Sequence, residues 1–400
     1  MKLTSPETVG LSTQRLHRID ALMQAYIDQQ KFAGITTVVA RHGQIAHFEC
    51  FGRRNLETNQ PMEPDTLLRL CSMTKLITTV AVLMLYEEGR LQLEDPVAGF
   101  IPGVAGMKVW HEATAGGLQL VEQERAMTIR DLLTHTAGIP YGSPNGSAVE
   151  VLYEQAGLTA DHRSLQEMVQ ALVELPLVCQ PGSRWRYGLA HDVLGYLVEL
   201  ISDMPFDVFL EQNIFGPLGM QDTCFTVPAE KHARFAAVYG PAEGGGLVRV
   251  DTPDVNRYLQ PRRFLDGGGG LVSTATDYLR FAQLLLNGGE LDGTRLLGRK
   301  TVELMTRNQL PAALLPFEPG AVEFERGFGF GLGVRVLLDA AASGVLGSEG
   351  EYGWGGAANT VVWIDPKEEM ICLLMPQFMP GWYYPIDRQF KVLSYQAIVD

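Results

Sequence analysis

Cysteine is scarce in this chain and follows no pattern. Cys50, Cys71, Cys179, Cys224 and Cys372 are odd in number and far apart, which excludes a disulfide framework and a zinc-ligand spacing. Positive charge is also short, with 32 basic residues against 46 acidic ones and a net charge of −14. So acidic a surface repels phosphate backbones and anionic lipid, so neither nucleic acid nor a membrane is expected as a partner. No apolar run is long enough to span a bilayer, and the stretch from Met1 to Glu7 lacks the apolar core and cleavage site of a signal peptide. A reduced, cytoplasmic setting is the expectation. The remainder, 46% hydrophobic and 20% charged over 400 residues, describes a globular chain of one large domain or two medium ones.

Several familiar motifs are missing as well. No Gly-x-Ser-x-Gly pentapeptide marks a nucleophile elbow. The glycine run Gly267-Gly268-Gly269-Gly270 is followed by no Lys-Ser/Thr and has no dinucleotide spacing, so a tight turn with close backbone packing explains it better than a phosphate loop. The histidines stand near no nucleophile signature, and His135 is read as a hydrogen-bonded structural residue.

The apolar periodicity places a helix after Ser12, carrying Leu16, Ile19, Leu22, Met23, Tyr26 and Ile27 on one face, then a hairpin of Ile35–Ala40 and Gln44–Phe51. From residue 71 to about 225 helices alternate with loops: Leu76–Tyr86, Met127–Leu133, Ser164–Leu175, Asp192–Ile201 and Phe206–Ile214, with Pro102–Gly117 and Tyr141–Gly146 as surface loops. Pro241–Pro261 reads as irregular, and a helix over Asp277–Leu286 follows, capped by Thr274 or Ser273. Strands are expected over Gly327–Gly333, Val334–Leu338, Asn359–Ile364 and Glu369–Met375, and a last helix begins near Asp387. The fold expected is α+β. Residues 1–70 and 226–400 make a discontinuous domain of one antiparallel sheet flanked by helices, residues 71–225 a mainly helical domain, and the site lies at their junction.

The stretch that organises this layout is Cys71-Ser72-Met73-Thr74-Lys75, at the start of an apolar helix. Ser72 and Lys75, three apart, share one helix face. A serine hydroxyl needs a base to take its proton, and a lysine whose pKa burial has depressed can serve. In Trp185-Arg186-Tyr187-Gly188-Leu189, the loop-borne Tyr187 can act as acid or base beside Lys75, if Lys75 lowers its pKa. Trp354-Gly355-Gly356-Ala357 leads into a strand, and two glycines beside an edge let a substrate carbonyl approach a backbone N–H.

In order and spacing these three pieces resemble the serine β-lactamase and penicillin-binding-protein superfamily, and more closely the family VIII carboxylesterases on the class C β-lactamase fold. Asp131–Gly138, Gly267–Thr274 and Gly327–Gly333 extend the resemblance over nearly the whole chain. It implies that Ser72 is acylated, that Lys75 and Tyr187 share the proton transfers, and that the backbone N–H groups of Ser72 and Ala357 form the oxyanion hole. It implies no metal and no organic cofactor.

Two departures from the β-lactamase pattern bear on substrate. Leu189 stands two after Tyr187, where an asparagine is usual, and Trp354 stands in place of the lysine of Lys-Thr-Gly. Neither can hold the amide or carboxylate of a β-lactam, so Trp354, Gly355, Gly356 and Leu189 are expected to contact a neutral, short- to medium-chain ester. An acyltransferase or an amidohydrolase/β-lactamase on the same scaffold, and a non-catalytic binding or assembly module, are the rival readings. The sequence leaves the oligomeric state open.

Overall fold

The computed structural model describes residues 1–111, 119–251, 256–317 and 326–400. Parts of two expected irregular stretches, 112–117 and 252–255, lie outside the described residues.

Helix α1 (Thr13–Asp28) starts where the Ser12 hydroxyl accepts the Arg15 N–H, as the sequence predicts. The chain then forms β1 (Gly34–Arg41), β2 (Gln44–Asn55) and the short β3 (Gln60–Pro61). Five further strands join them from the far end of the chain: β4 (Phe328–Phe330), β5 (Arg335–Leu337), β6 (Tyr352–Gly355), β7 (Val361–Asp365) and β8 (Met370–Pro376). Together they make one antiparallel sheet in the order β4-β5-β6-β7-β8-β1-β2-β3, with β1 joined to β8 from Ile35 opposite Pro376 to Arg41 opposite Met370. The sheet is large and antiparallel with helices on both faces, the α+β arrangement expected from the sequence.

Side-chain alternation explains why both faces are covered. Ile35 and Val39 of β1, Cys372 and Leu374 of β8 and Trp363 of β7 point to one side, where they pack on α1 and the C-terminal helix. Val38 and Ala40, Ile371 and Leu373, and Val362 and Ile364 point to the other. There they meet α4 (Ala275–Leu286), in one core with α2 (Thr74–Glu87) and with α3 (Ala190–Ser202), which packs on α2. The C-terminal helix, α5 (Ile386–Tyr395), lies on the α1 side through Phe390, whose ring centroid is 5.4 Å from that of Trp363. Each fully buried large apolar side chain in these layers contributes about 1.5–3 kcal/mol.

Three local expectations need correction. The strand expected over Gly327–Gly333 ends at Phe330, because the chain then turns into α2 and its neighbours. A Cβ at Gly331 would stand 2.2 Å from the Met305 carbonyl and one at Gly333 2.0 Å from the Thr79 hydroxyl. The helix expected over Ser164–Leu175 stops at Leu172, and the one from Phe206 is α-helical only to Leu210 before a π-helical turn. A helix over Ala148–Ala156 was missed, although Ser147 and Glu150 form a reciprocal capping box that announces it.

Candidate active site

Ser72 sits in a single 3-10 turn, Cys71–Met73, between the short strand Leu68–Arg69 and α2. Cys71 adopts the left-handed region (φ +47°), uncommon for a residue with a side chain. Its surroundings hold it there. Leu70 donates its N–H to the Leu271 carbonyl (2.9 Å), and the Thr360 hydroxyl donates to the Leu70 carbonyl (3.1 Å). Gly356 packs so closely that a Cβ would lie 2.4 Å from that carbonyl, so the glycine is required. The turn binds Met73 N–H to Leu70 and Thr74 N–H to Cys71 and Ser72, which leaves the Ser72 N–H without an intrahelical acceptor. Ser72 and Ala357 line one cleft of about 690 Å³. Gly356 also lies close against the Cys71 side chain, tying the Ala357 loop to the Ser72 turn.

Lys75, in the first turn of α2, is only 1% exposed. Its ammonium donates to three acceptors: Ser72 Oγ (3.3 Å), Tyr141 OH (3.0 Å) and the Gly268 carbonyl (2.6 Å). That is the full complement of an –NH₃⁺ group. Burial acts to lower the lysine pKa, but Tyr141, Tyr187 and Asp192 outweigh it, and the pKa is raised. The depression expected from the apolar helix is therefore not found, and the neighbours hold the lysine pKa up.

Two tyrosines flank that cation. Gly188 lies against the Ile139-Pro140 backbone, where a Cβ would come within 2.2 Å of the Ile139 carbonyl, and this brings the Tyr141 and Tyr187 rings to 5.5 Å. Tyr187, as expected from the sequence, reaches the cleft. Lys75 Nζ lies 4.5 Å from the centre of its ring, while the Tyr187 hydroxyl accepts the Trp354 indole N–H at 3.1 Å. Tyr141 is the hydroxyl that Lys75 grips, yet the sequence reading placed it in a surface loop. Burial pushes its phenol pKa upward. The available signal was an aromatic directly after Gly138-Ile139-Pro140.

Behind Lys75, Asp192 Oδ1 accepts the Gly268 N–H (3.1 Å), so the Gly268 peptide links carboxyl and ammonium. Burial and the neighbouring Asp266 raise the Asp192 pKa well above the ordinary value. His135 is wholly buried among Trp185, Tyr187, His191 and Phe330, and burial, His191 and Lys75 hold its pKa well below the usual range. Its structural role stands, but the hydrogen bonds expected of its ring do not: neither nitrogen meets a protein partner among the described residues.

Of the four residues expected to contact substrate, Trp354 and Gly355 line the cleft and Gly356 supports the Ser72 turn. Past Gly353, β6 has no β5 partner, so Trp354 and Gly355 form the expected free edge. Leu189 is a correction. It is 2% exposed and packs in the core at the start of α3, because the first turn of that helix carries its side chain inward. Leu189→Asn would bury an unsatisfied amide and should lower stability by about 2–4 kcal/mol, read as a reduced urea midpoint, without moving substrate preference.

A family model described as Beta-lactamase matches residues 19–395. Esterase EstB of Burkholderia gladioli is 32% identical over 377 residues, 90% of this chain and 89% of its own. Monacolin J acid methylbutanoyltransferase of Aspergillus terreus is 30% identical over 376 residues, 89% of this chain and 88% of its own. The solved structure of EstCE1, a hydrolase with promiscuous acyltransferase activity, shares the fold, with a TM-score of 0.80 at 24% identity over 96% of this chain and 99% of that one. Matched in sequence and fold over nearly its whole length, the chain belongs to the Beta-lactamase family.

Proposed function

We propose that this protein is a carboxylesterase that works through an acyl-enzyme on Ser72. The observation that carries the reading is the Lys75 ammonium, which bridges Ser72 Oγ and Tyr141 OH at the end of a cleft lined by ring side chains. Lys75 first gives a proton to solvent through the adjoining phenols. The neutral amine then takes the Ser72 proton as Oγ attacks the ester carbonyl. The Ser72 and Ala357 N–H groups receive the oxyanion. As the tetrahedral intermediate collapses, the proton passes through the Lys75–tyrosine pair to the departing alkoxide. Water repeats the sequence to free the acid.

Trp354 Nε1–H spends its one donor on Tyr187, fixing the orientation of that phenol. Trp354→Phe should therefore lower kcat about tenfold and leave KM nearly unchanged, since the ring wall survives. Because the lysine pKa is raised, the neutral amine is the minor form near neutrality and grows with pH. Activity should climb steadily between about pH 6 and about pH 9, with no plateau, in initial-rate measurements on one stable ester.

The direct test is labelling with a serine-reactive phosphonate followed by mass spectrometry. An adduct on the peptide containing Ser72 is expected; one on Ser143 or Ser348 overturns the assignment. Trp354 supplies no cation for a β-lactam carboxylate, so a neutral ester should outpace a cephalosporin, and the opposite order would make the protein a β-lactamase.

Acyl transfer is the second reading. It draws on the names of the similar proteins and on a cleft roomy enough to admit an acceptor alcohol. Product analysis with added alcohol decides between water and alcohol as the group that resolves the acyl-enzyme. The five unpaired cysteines are consistent with a cytoplasmic setting.

A further inference from the structure

The glycine run after Asp266 is bare because other groups close in on it. A Cβ at Gly267 would stand 2.5 Å from the His191 carbonyl oxygen. At Gly268 the neighbours are charged or titratable: Asp192 Oδ2 lies 2.9 Å, Asp266 Oδ1 3.3 Å and Lys75 Nζ 3.3 Å from where a Cβ would be. Two carboxyls and an ammonium therefore surround one point. Helix α2 holds the run there, since the Thr78 hydroxyl donates to the Gly267 carbonyl (2.7 Å) and the Leu271 N–H donates to the Thr74 hydroxyl (3.2 Å).

The two carboxyls have different surroundings. Asp192, on α3, is 1% exposed, whereas Asp266 lines the cleft. Asp192 Oδ1 accepts the Gly268 N–H, but Oδ2 meets no donor among the described residues. A buried carboxylate oxygen without a donor is costly, and a second carboxylate beside it adds repulsion. One proton removes both penalties, because it makes Asp192 Oδ2 a donor and Asp266 its acceptor. Burial and Asp266 accordingly push the Asp192 pKa upward, against the pull of Lys75. The other titratable groups facing the pair are Tyr141 after Pro140, Cys71 in the Ser72 turn and Arg262 ahead of the glycines. His191, next to Asp192, has its pKa held well below the usual range by burial and Lys75.

Building on the Ser72 acyl-enzyme reading, we propose that Asp192 and Asp266 share one proton and act as a singly charged counter-ion that positions the Lys75 ammonium through the Gly268 peptide. The proton comes from solvent as the chain folds, because both carboxyls are ionised in the unfolded chain near neutrality. A pair with one charge balances the single charge of Lys75, whereas two carboxylates overmatch it. Both are positioning residues, acting on Ser72 through Lys75.

The test counts that proton in the intact protein. Asp192→Asn and Asp266→Asn are nearly isosteric, and each leaves one carboxylate facing an amide that donates to it. Infrared difference spectra at about pH 7, wild type minus either variant, should show a protonated-carboxyl band. Stability gives an independent count. A carboxyl whose pKa rises on folding stabilises the native state at acid pH, and that contribution is lost as pH climbs. Between about pH 5 and about pH 7 the wild type should therefore lose stability more steeply than either single variant, by the slope of one proton. The double variant should match the singles, since one proton cannot be removed twice.

The role is read in the rate. Each single variant keeps a counter-charge and should keep the rise of kcat with pH. The double variant lets Lys75 deprotonate more easily, so its rise from about pH 7 to about pH 9 should be smaller by about threefold or more, with KM little changed. A flat difference spectrum for either single variant overturns the shared proton, and a double variant whose pH–rate curve parallels the wild type overturns the counter-ion. If circular dichroism shows the double variant unfolded, the spectra of the singles decide. These spectra stand apart from the acyl-enzyme, which fails separately if the phosphonate label does not fall on Ser72.

Discussion

Ser72→Ala is expected to abolish ester turnover, a loss on the order of 10⁴-fold or more, with the melting temperature unchanged within a degree or two. The hydroxyl makes one contact in the resting site, the 3.3 Å bond from Lys75, and that ammonium keeps Tyr141 OH and the Gly268 carbonyl. Its removal costs reactivity and little packing. The measurement is paired: steady-state rates on an activated ester, and thermal unfolding of the same preparation. A variant that retains a few per cent of the wild-type rate would place the nucleophile elsewhere.

Lys75→Arg is expected to lose about 10³-fold in kcat although it preserves the charge. A guanidinium does not give up a proton at any usable pH, and its planar fork does not fit three acceptors arranged around one nitrogen. The variant also separates two roles. If Lys75 only stabilised negative charge on Ser72, arginine would support much of the rate and the alkaline rise of activity would survive. If it carries the proton, both go. Parallel pH–rate profiles of wild type and variant decide.

That Ser72, Tyr187 and Trp354 meet in one cleft was legible because it rests on local rules. Ser-x-x-Lys opening an apolar helix needs only helix geometry, and the Tyr187 loop and Trp354-Gly355-Gly356 declare themselves by glycines that no regular element explains. What the sequence concealed depends on distant contacts. Tyr141 belongs to the site because Gly188 lets another loop lie against Pro140, a packing that no window around Tyr141 contains. The direction of the lysine pKa turns on burial opposed by Tyr141, Tyr187 and Asp192, which outweigh the apolar helix visible in the sequence. Leu189 was misplaced for a related reason: spacing from Tyr187 gives its position in the chain, while the first turn of α3 decides which way it points. The sheet itself was read in the right places, since short apolar runs mark β1, β7 and β8, buried on both faces, but β6 escaped because glycines make up half of it.

The junction of β1 with β8 has a kinetic consequence. Ile35 pairs with Pro376 and Arg41 with Met370, so the centre of the sheet joins segments from opposite ends of the described chain, and Arg41 also reaches Asp400. Such a junction must close a very long loop before it gains any ladder bonds, which makes it slow to form. Until it forms, Val38, Ala40, Ile371 and Leu373 have no sheet to present to α2 and α4, and the apolar faces of those helices stay uncovered. Dilution from denaturant should therefore yield helix signal well before ester-cleaving activity, and the interval between the two is when the chain is most prone to aggregate.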